Sequence, residues 1–193
     1  YLAKKGIAKK VIAADIKQGP LNQAEKNIAL FSVSDAVETR LSNGFENISP
    51  NEADCAIIAG MGGEVIVGIL KNCEWAKTKD KTYILQPTTS AEVLREFLCA
   101  DGFEIITETP LSENGKLYSV MTVKFTGEIR ERNESFYYVG KIPTTADGIL
   151  YLKKQQKRVG DCMKAIENIP HKQADYLKNK AVYDAITKIL TEN

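Results

Sequence analysis

Two strand-like segments, residues 103–109 and 117–125, are joined through Ser112-Glu113-Asn114-Gly115-Lys116. A parallel crossover needs about a dozen residues or more, so a link this short makes the two strands antiparallel. Asn-Gly also supplies the pair of positive-φ residues that a tight hairpin turn requires. The chain before the hairpin follows a different rhythm. Short apolar runs at Val11-Ile12-Ala13-Ala14, 37–41, Cys55-Ala56-Ile57-Ile58-Ala59 and Thr82-Tyr83-Ile84-Leu85 read as strands. Helical periodicity lies between them. Leu21, Ala24, Ile28 and Phe31 share one face after Gly19-Pro20; Val65, Ile66, Ile69, Leu70 and Cys73 share a second; Val93, Leu94, Phe97 and Leu98 share a third. Thr89 and Glu92 have the spacing of a capping box for that third helix, and Gly102 ends it. Strands alternating with helices build a parallel sheet with right-handed crossovers. The expected fold is therefore α/β, with a mostly parallel sheet closed by an antiparallel hairpin strand.

Beyond the hairpin the pattern changes again. Residues 127–146 are polar with scattered aromatics and read as a linker. Ile149, Leu152, Val159, Met163 and Ile166 then line one helix. Tyr176, Tyr183 and Leu190 repeat every seven residues in another, with Pro170-His171 breaking the two apart. This predicts a helical hairpin of coiled-coil type. The expected organisation is a sheet domain over 1–126, a linker over 127–146 and the hairpin over 147–193. At the other end, Tyr1-Leu2-Ala3-Lys4-Lys5-Gly6 reads as the close of a helix with Gly as its stop. An upstream segment is therefore expected, and with it a first strand that this chain lacks.

Composition excludes several classes. No run approaches the roughly 18 apolar residues of a membrane span, and no secretory signal is visible. The four cysteines lack any C-x-x-C spacing, which argues against zinc ribbons and thioredoxin-like sites; Cys73 and Cys99 sit in apolar segments, as reduced core thiols do in a cytoplasmic protein. One histidine, His171, excludes multi-His metal sites, so no metal is expected. The net charge of +1 is uneven: from residue 147 onward there are 9 Lys/Arg against 6 Asp/Glu. Lys153, Lys154, Lys157 and Arg158 form a basic cluster there, suited to a polyanion such as RNA or to a plain solvated face.

The candidate site residues stand at the ends of the strands. Asp15 ends the first, where an acid in a nucleotide-binding sheet accepts hydrogen bonds from both ribose hydroxyls. Ile16 follows it. Asn43-Gly44, after the second strand, can present an amide to an adenine edge or form an ordinary Asn-Gly turn. Gly60-Met61-Gly62-Gly63 follows a buried strand, where open α/β sheets bind ligands. Three glycines in four positions imply positive φ or close approach, whether of a ligand or of the turn's own backbone. Gln86-Pro87 ends the next strand and can offer a purine edge a partner and a flat wall, or simply terminate the strand.

A parallel sheet closed by an antiparallel hairpin is the layout of class I methyltransferases. Ala13-Ala14-Asp15 with Gly19-Pro20, Asn43-Gly44, Ile58-Ala59-Gly60-Met61-Gly62-Gly63, Leu85-Gln86-Pro87, Leu94-Arg95 and Gly115-Lys116-Leu117-Tyr118 resemble the bacterial tRNA (adenine(22)-N1)-methyltransferase family. The resemblance implies a Rossmann-like domain binding S-adenosyl-L-methionine, a helical C-terminal domain, and methylation of an adenine N1 in the tRNA D-loop. It implies that Asp15 and Ile16 hold the ribose side of the cofactor, that Asn43 and Gly44 sit by its adenine, and that Gly60 to Gly63 border its methionine part and the target base. Gln86 and Pro87 would face the substrate, and Lys153, Lys154, Lys157 and Arg158 the tRNA. Asn43 and Gln86 are the candidates for a direct role in catalysis. Two departures stand out: the family usually has Asp at the position of Asn43, and its first acidic Gly-containing motif would precede Tyr1. The alternatives are a methyltransferase for a small-molecule or protein acceptor, and a non-catalytic RNA-binding or dimerising module. Monomer and homodimer are equally compatible with the sequence.

Overall fold

The computed structural model describes residues 1–192. Two compact units are present, Tyr1–Ala53 with Ile69–Trp75, and Asp54–Gly68 with Ala76–Asn193.

In the first unit, β1 (Val11–Asp15) pairs in parallel with β2 (Val37–Leu41), running from Val11 opposite Val37 to Asp15 opposite Leu41. The connecting helix α1 (Gln18–Leu30) buries Leu21. Phe31, expected on its inner face, is instead the exposed C-cap residue. The chain turns just past it, with Ser32 at φ 54. Ile48, Leu70 and Cys73 are buried. Trp75 packs on Phe45 with ring centroids 4.8 Å apart, and its Nε1 donates to the Ile48 carbonyl at 3.1 Å.

The second unit contains a four-stranded sheet in the order β3 (Cys55–Met61), β4 (Thr82–Pro87), β6 (Lys116–Phe125), β5 (Phe103–Glu113). β3 and β4 are parallel; β6 runs antiparallel to both β4 and β5. Hydrogen bonding thus divides the strands into two sheets with two parallel and two antiparallel ladders, where one mostly parallel sheet was expected. The Asn-Gly hairpin forms as anticipated. Asn114 at φ 50 and Gly115 at φ 73 occupy the two central positions of a type I′ turn, and both strands run longer than their apolar stretches suggest. The sheet's core is Tyr83, Leu85, Met121 and Val123, all fully buried, with Leu94 and Leu98 of α3 (Ala91–Ala100) against it.

Two local expectations fail for identifiable reasons. Val65, assigned to the inner face of α2 (Gly63–Lys71), is 54% exposed, whereas Ile66, Val67 and Leu70 are buried. The Thr89/Glu92 capping box does not form. Ser90 is the N-cap, in the left-handed region at φ 51, and the Glu92 carboxylate accepts from Arg158 instead.

The segment read as a linker contains a helix, α4 (Glu134–Val139), whose first turn is capped by the Asn133 side chain accepting from the Phe136 amide at 2.9 Å. The tail forms α5 (Ala146–Ile166) and α6 (Gln173–Thr191), with a 3₁₀ turn at Pro170–Lys172 between them. Gln156 bonds Thr187 while Gly160 lies against Tyr183, so the two helices run antiparallel. Their shared core is Leu152, Val159, Val182 and Ile186, together with Tyr151 and Ile142.

A buried charge joins these parts within the unit. Arg95 of α3 is fully buried, although its neighbours on the helical wheel gave no sign of it. Its Nε donates to Glu108 Oε1 of β5 at 3.0 Å, Nη1 to the Tyr137 and Tyr138 carbonyls of α4, and Nη2 to the Tyr151 hydroxyl of α5. Glu108 also accepts from the Ser119 hydroxyl and the Lys141 amide. Burial works against the guanidinium charge, yet Glu108 and Tyr151 outweigh it and hold the Arg95 pKa above its ordinary value. Gly140, at φ +66, is obligatory here, because a Cβ would collide with the Glu108 carboxylate and the Arg95 Nε.

Candidate functional site

In the first unit the candidate residues cluster at the carboxyl ends of β1 and β2. The Ser42 amide donates to the Asp15 carbonyl at 2.9 Å, carrying the pairing one step past the strands. Asp15 Oδ1 accepts from the Lys17 amide at 2.8 Å, which orients the carboxylate at the strand end. Ile16, 61% exposed, offers apolar surface beside it. Ser42 is buried and builds the next turn: its hydroxyl donates to the Gly44 carbonyl at 2.9 Å and accepts from the Asn47 amide at 3.0 Å. Gly44 takes φ +58, and a Cβ there would lie 2.9 Å from Ile69 Cγ2. Its freedom is therefore needed by the turn itself. Asn43 is exposed, and its Nδ2 donates to Glu46 Oε1 at 2.8 Å. A carboxylate, an apolar side chain and an amide on one edge fit the ribose and adenine of a nucleoside cofactor.

In the second unit, Gly60 to Gly63 and Gln86-Pro87 lie together at the carboxyl ends of β3 and β4. Ala59 stands opposite Gln86 and Met61 opposite Pro87, with the ladder shifting register across Gly60. The structure separates the roles of the three glycines. Gly60 takes φ +78 and faces open space, with no atom within 4 Å of a built Cβ. This is the position at which a ligand can approach the backbone closely. Gly62 and Gly63 are explained by the turn: a Cβ on Gly62 would meet Thr89 Oγ1 at 3.1 Å, and one on Gly63 would fall on the Ser90 carbonyl.

Gln86 is engaged within the protein. Its Oε1 accepts from the Gly60 amide at 2.8 Å, and its Nε2 donates to the Pro87 carbonyl at 3.2 Å. It fixes the strained glycine, and Pro87 is buried. Two residues that sequence reasoning passed over complete the support. The Thr88 amide and hydroxyl both donate to the Met61 carbonyl, at 2.8 and 3.1 Å, and the Thr89 carbonyl accepts from the Gly63 amide at 2.9 Å. Their signal was adjacency to Gln86-Pro87.

The basic cluster of the tail divides by face. Lys154 Nζ donates to the Leu117 carbonyl at 3.3 Å. Arg158, 41% exposed, pairs with Glu92 at 2.9 Å and lies over the Tyr138 ring at 5.2 Å. Lys153 and Lys157 are exposed, with no ion pair or side-chain hydrogen bond among the described residues. No cluster of His, Cys, Asp or Glu able to hold a metal ion occurs among the described residues, and no helix there is long and apolar enough to cross a membrane.

A family model described as a methyltransferase domain matches residues 1–121. The chain belongs to this methyltransferase-domain family. Among curated proteins it is 34% identical over 113 residues to the tRNA (adenine(22)-N(1))-methyltransferase of Bacillus subtilis, covering 58% of this chain and 48% of that protein. The chain spans about half the length of the curated relatives it matches. Among solved structures, the B. subtilis m1A22 tRNA methyltransferase TrmK shares its fold, with a TM-score of 0.85 at 23% identity over 98% of this chain and 86% of that one. M. capricolum TrmK, solved with S-adenosyl-homocysteine, aligns at a TM-score of 0.77 and 25% identity, over 99% of this chain and 84% of that one.

Proposed function

We propose that this protein transfers a methyl group from S-adenosyl-L-methionine to N1 of an adenine in tRNA, adenine 22 by likeness to its relatives, and works in the cytoplasm. The observation that carries the reading is Gly60, a positive-φ glycine at the carboxyl end of β3 with open space over its Cα and its amide held by Gln86. The Asp15 carboxylate, oriented by the Lys17 amide, accepts the ribose hydroxyls. Asn43 presents its side-chain oxygen toward the adenine amine while its Nδ2 stays with Glu46. Gly60 and Met61 border the methionine part and the target base.

Bound S-adenosyl-L-methionine supplies a methyl group already activated by its sulfonium. Adenine N1 carries a free lone pair at neutral pH, so no strong base is required, in keeping with a chain holding a single histidine. The protein's part is orientation. Gln86 acts through Gly60 as a positioning residue, and the exposed carbonyls of Ala59 and Gly60 are the acceptors available to the amine of an incoming base. N1 lies on the pairing edge, so the base must leave its stack to react.

The test uses calorimetry with S-adenosylhomocysteine, and methyl transfer from labelled S-adenosyl-L-methionine to an unmodified tRNA transcript and its A22→G counterpart. Heat on titration and label in the first transcript alone are expected. Absence of heat, or equal label in both transcripts, overturns the reading.

A further inference from the structure

A cleft of about 290 Å³ opens between α5 and α6, with Lys153, Lys157 and Lys164 on one wall and Tyr176 and Tyr183 on the other. The lysines are spaced to fall on one face of α5, opposite the face that carries Lys154 and Arg158. None of the three makes an ion pair or side-chain hydrogen bond among the described residues. Gly160 keeps the cleft open. A Cβ there would lie 3.2 Å from Tyr183 Cε2, so the missing side chain lets that ring rest on the α5 backbone. Tyr176 is half-buried and belongs to the cleft, not to the tail's buried core. The volume is at the small end of the roughly 300–1,000 Å³ typical of ligand sites. Asp161 and Glu167 on the rim offset two of the three ammonium charges. What remains matches one phosphodiester, and a groove that tracks a longer backbone would carry more charge. A flat aromatic face beside ammonium groups is the combination that holds unpaired nucleotides, the base stacking and the phosphate paired.

We propose that this cleft holds one unpaired RNA nucleotide, its base against Tyr176 and its phosphate among Lys153, Lys157 and Lys164. The proposal rests on the tRNA reading for the source of that nucleotide and on the cleft alone for its chemistry. It assigns RNA contact to Lys153, Lys157 and Lys164, and a packing role to Lys154 and Arg158.

The experiment is fluorescence anisotropy of the full chain with a labelled single-stranded hexa-adenylate, and with an RNA hairpin of fully paired stem as control. Tyr176→Leu keeps apolar bulk in the helix and removes the stacking face. Since stacking is worth about 1–3 kcal/mol per base, hexa-adenylate should bind about 5- to 150-fold more weakly. Replacing Lys153 and Lys157 together by Gln should lower the slope of log affinity against log salt by about 1.4, at about 0.7 per single-strand phosphate contact. Adenosine monophosphate should compete better than inorganic phosphate. Unchanged affinity in the Tyr176→Leu variant with native circular dichroism, equal binding of the paired hairpin, or equal competition by inorganic phosphate overturns the cleft. Binding of S-adenosylhomocysteine is read separately. A protein that takes up the cofactor product but not hexa-adenylate loses the cleft and keeps the methyltransferase reading, and the reverse pattern does the opposite.

Discussion

Gly60 and Gly63 stand three positions apart in one run yet answer to different constraints, and alanine at each separates them. At Gly60 the φ of +78 makes Ala strained but not blocked, a cost of about 1 kcal/mol. Gly60→Ala should therefore lose little in urea denaturation while weakening S-adenosylhomocysteine binding in calorimetry. At Gly63 the new Cβ would strike the Ser90 backbone, which cannot swing away as a side chain can. Gly63→Ala should cost about 1–3 kcal/mol by the same denaturation. Equal stability of the two variants would refute the distinction. Glu108 poses a sharper case. Its removal leaves the Arg95 charge buried and unbalanced, and losing one partner of a buried pair costs about 3–5 kcal/mol. Glu108→Ala should lower the urea midpoint accordingly, and a loss below 1 kcal/mol would show that water reaches Arg95.

The 3₁₀ turn at Pro50–Glu52 and strand β2 are held together by ionisable groups. The Ser49 amide donates to Glu52 Oε2 at 2.7 Å and the Arg40 Nη1 to the same oxygen at 2.8 Å; Arg40 also pairs with Glu38. The Arg40 guanidinium and the Ser49 amide hold the Glu52 carboxyl at about 2, against an ordinary value of 4.5. A carboxyl whose pKa is depressed on folding stabilises the protein fully above its unfolded value and loses that contribution as pH falls toward its folded one. The contribution should therefore disappear between about pH 4.5 and 2. Trp75, the single tryptophan, belongs to the same unit and reports the event by fluorescence. The Glu52→Gln variant should show a shallower acid transition in that signal, and a transition identical to the wild type would remove Glu52 from the account.

Across the molecule, order should follow the sheets. β4 and β6 are central strands whose inward side chains are fully buried, while β1 and β2 form a two-stranded sheet with partly open surfaces. Isolated two-stranded pairs are marginal in water. In native-state hydrogen exchange, the amides of Thr82–Pro87 should outlast those of Val11–Asp15. Matching protection in the two strands would contradict this.

How much of this was legible follows from the range of the forces involved. The strands, the helices, the type I′ turn at Asn114-Gly115 and the strand-end positions of Asp15, Asn43, Gly60 and Gln86 are local matters. They depend on periodicity and on backbone φ preferences within a few residues, and both are written in the order of amino acids. The burial of Arg95, the helix hidden in 127–146, the failure of the Thr89/Glu92 cap and the division of the tail's basic cluster into two faces depend on partners 13 to 66 residues away. A polar group's environment is set by whatever the folded chain brings against it. No pattern along the sequence says whether an arginine will meet water or a distant carboxylate.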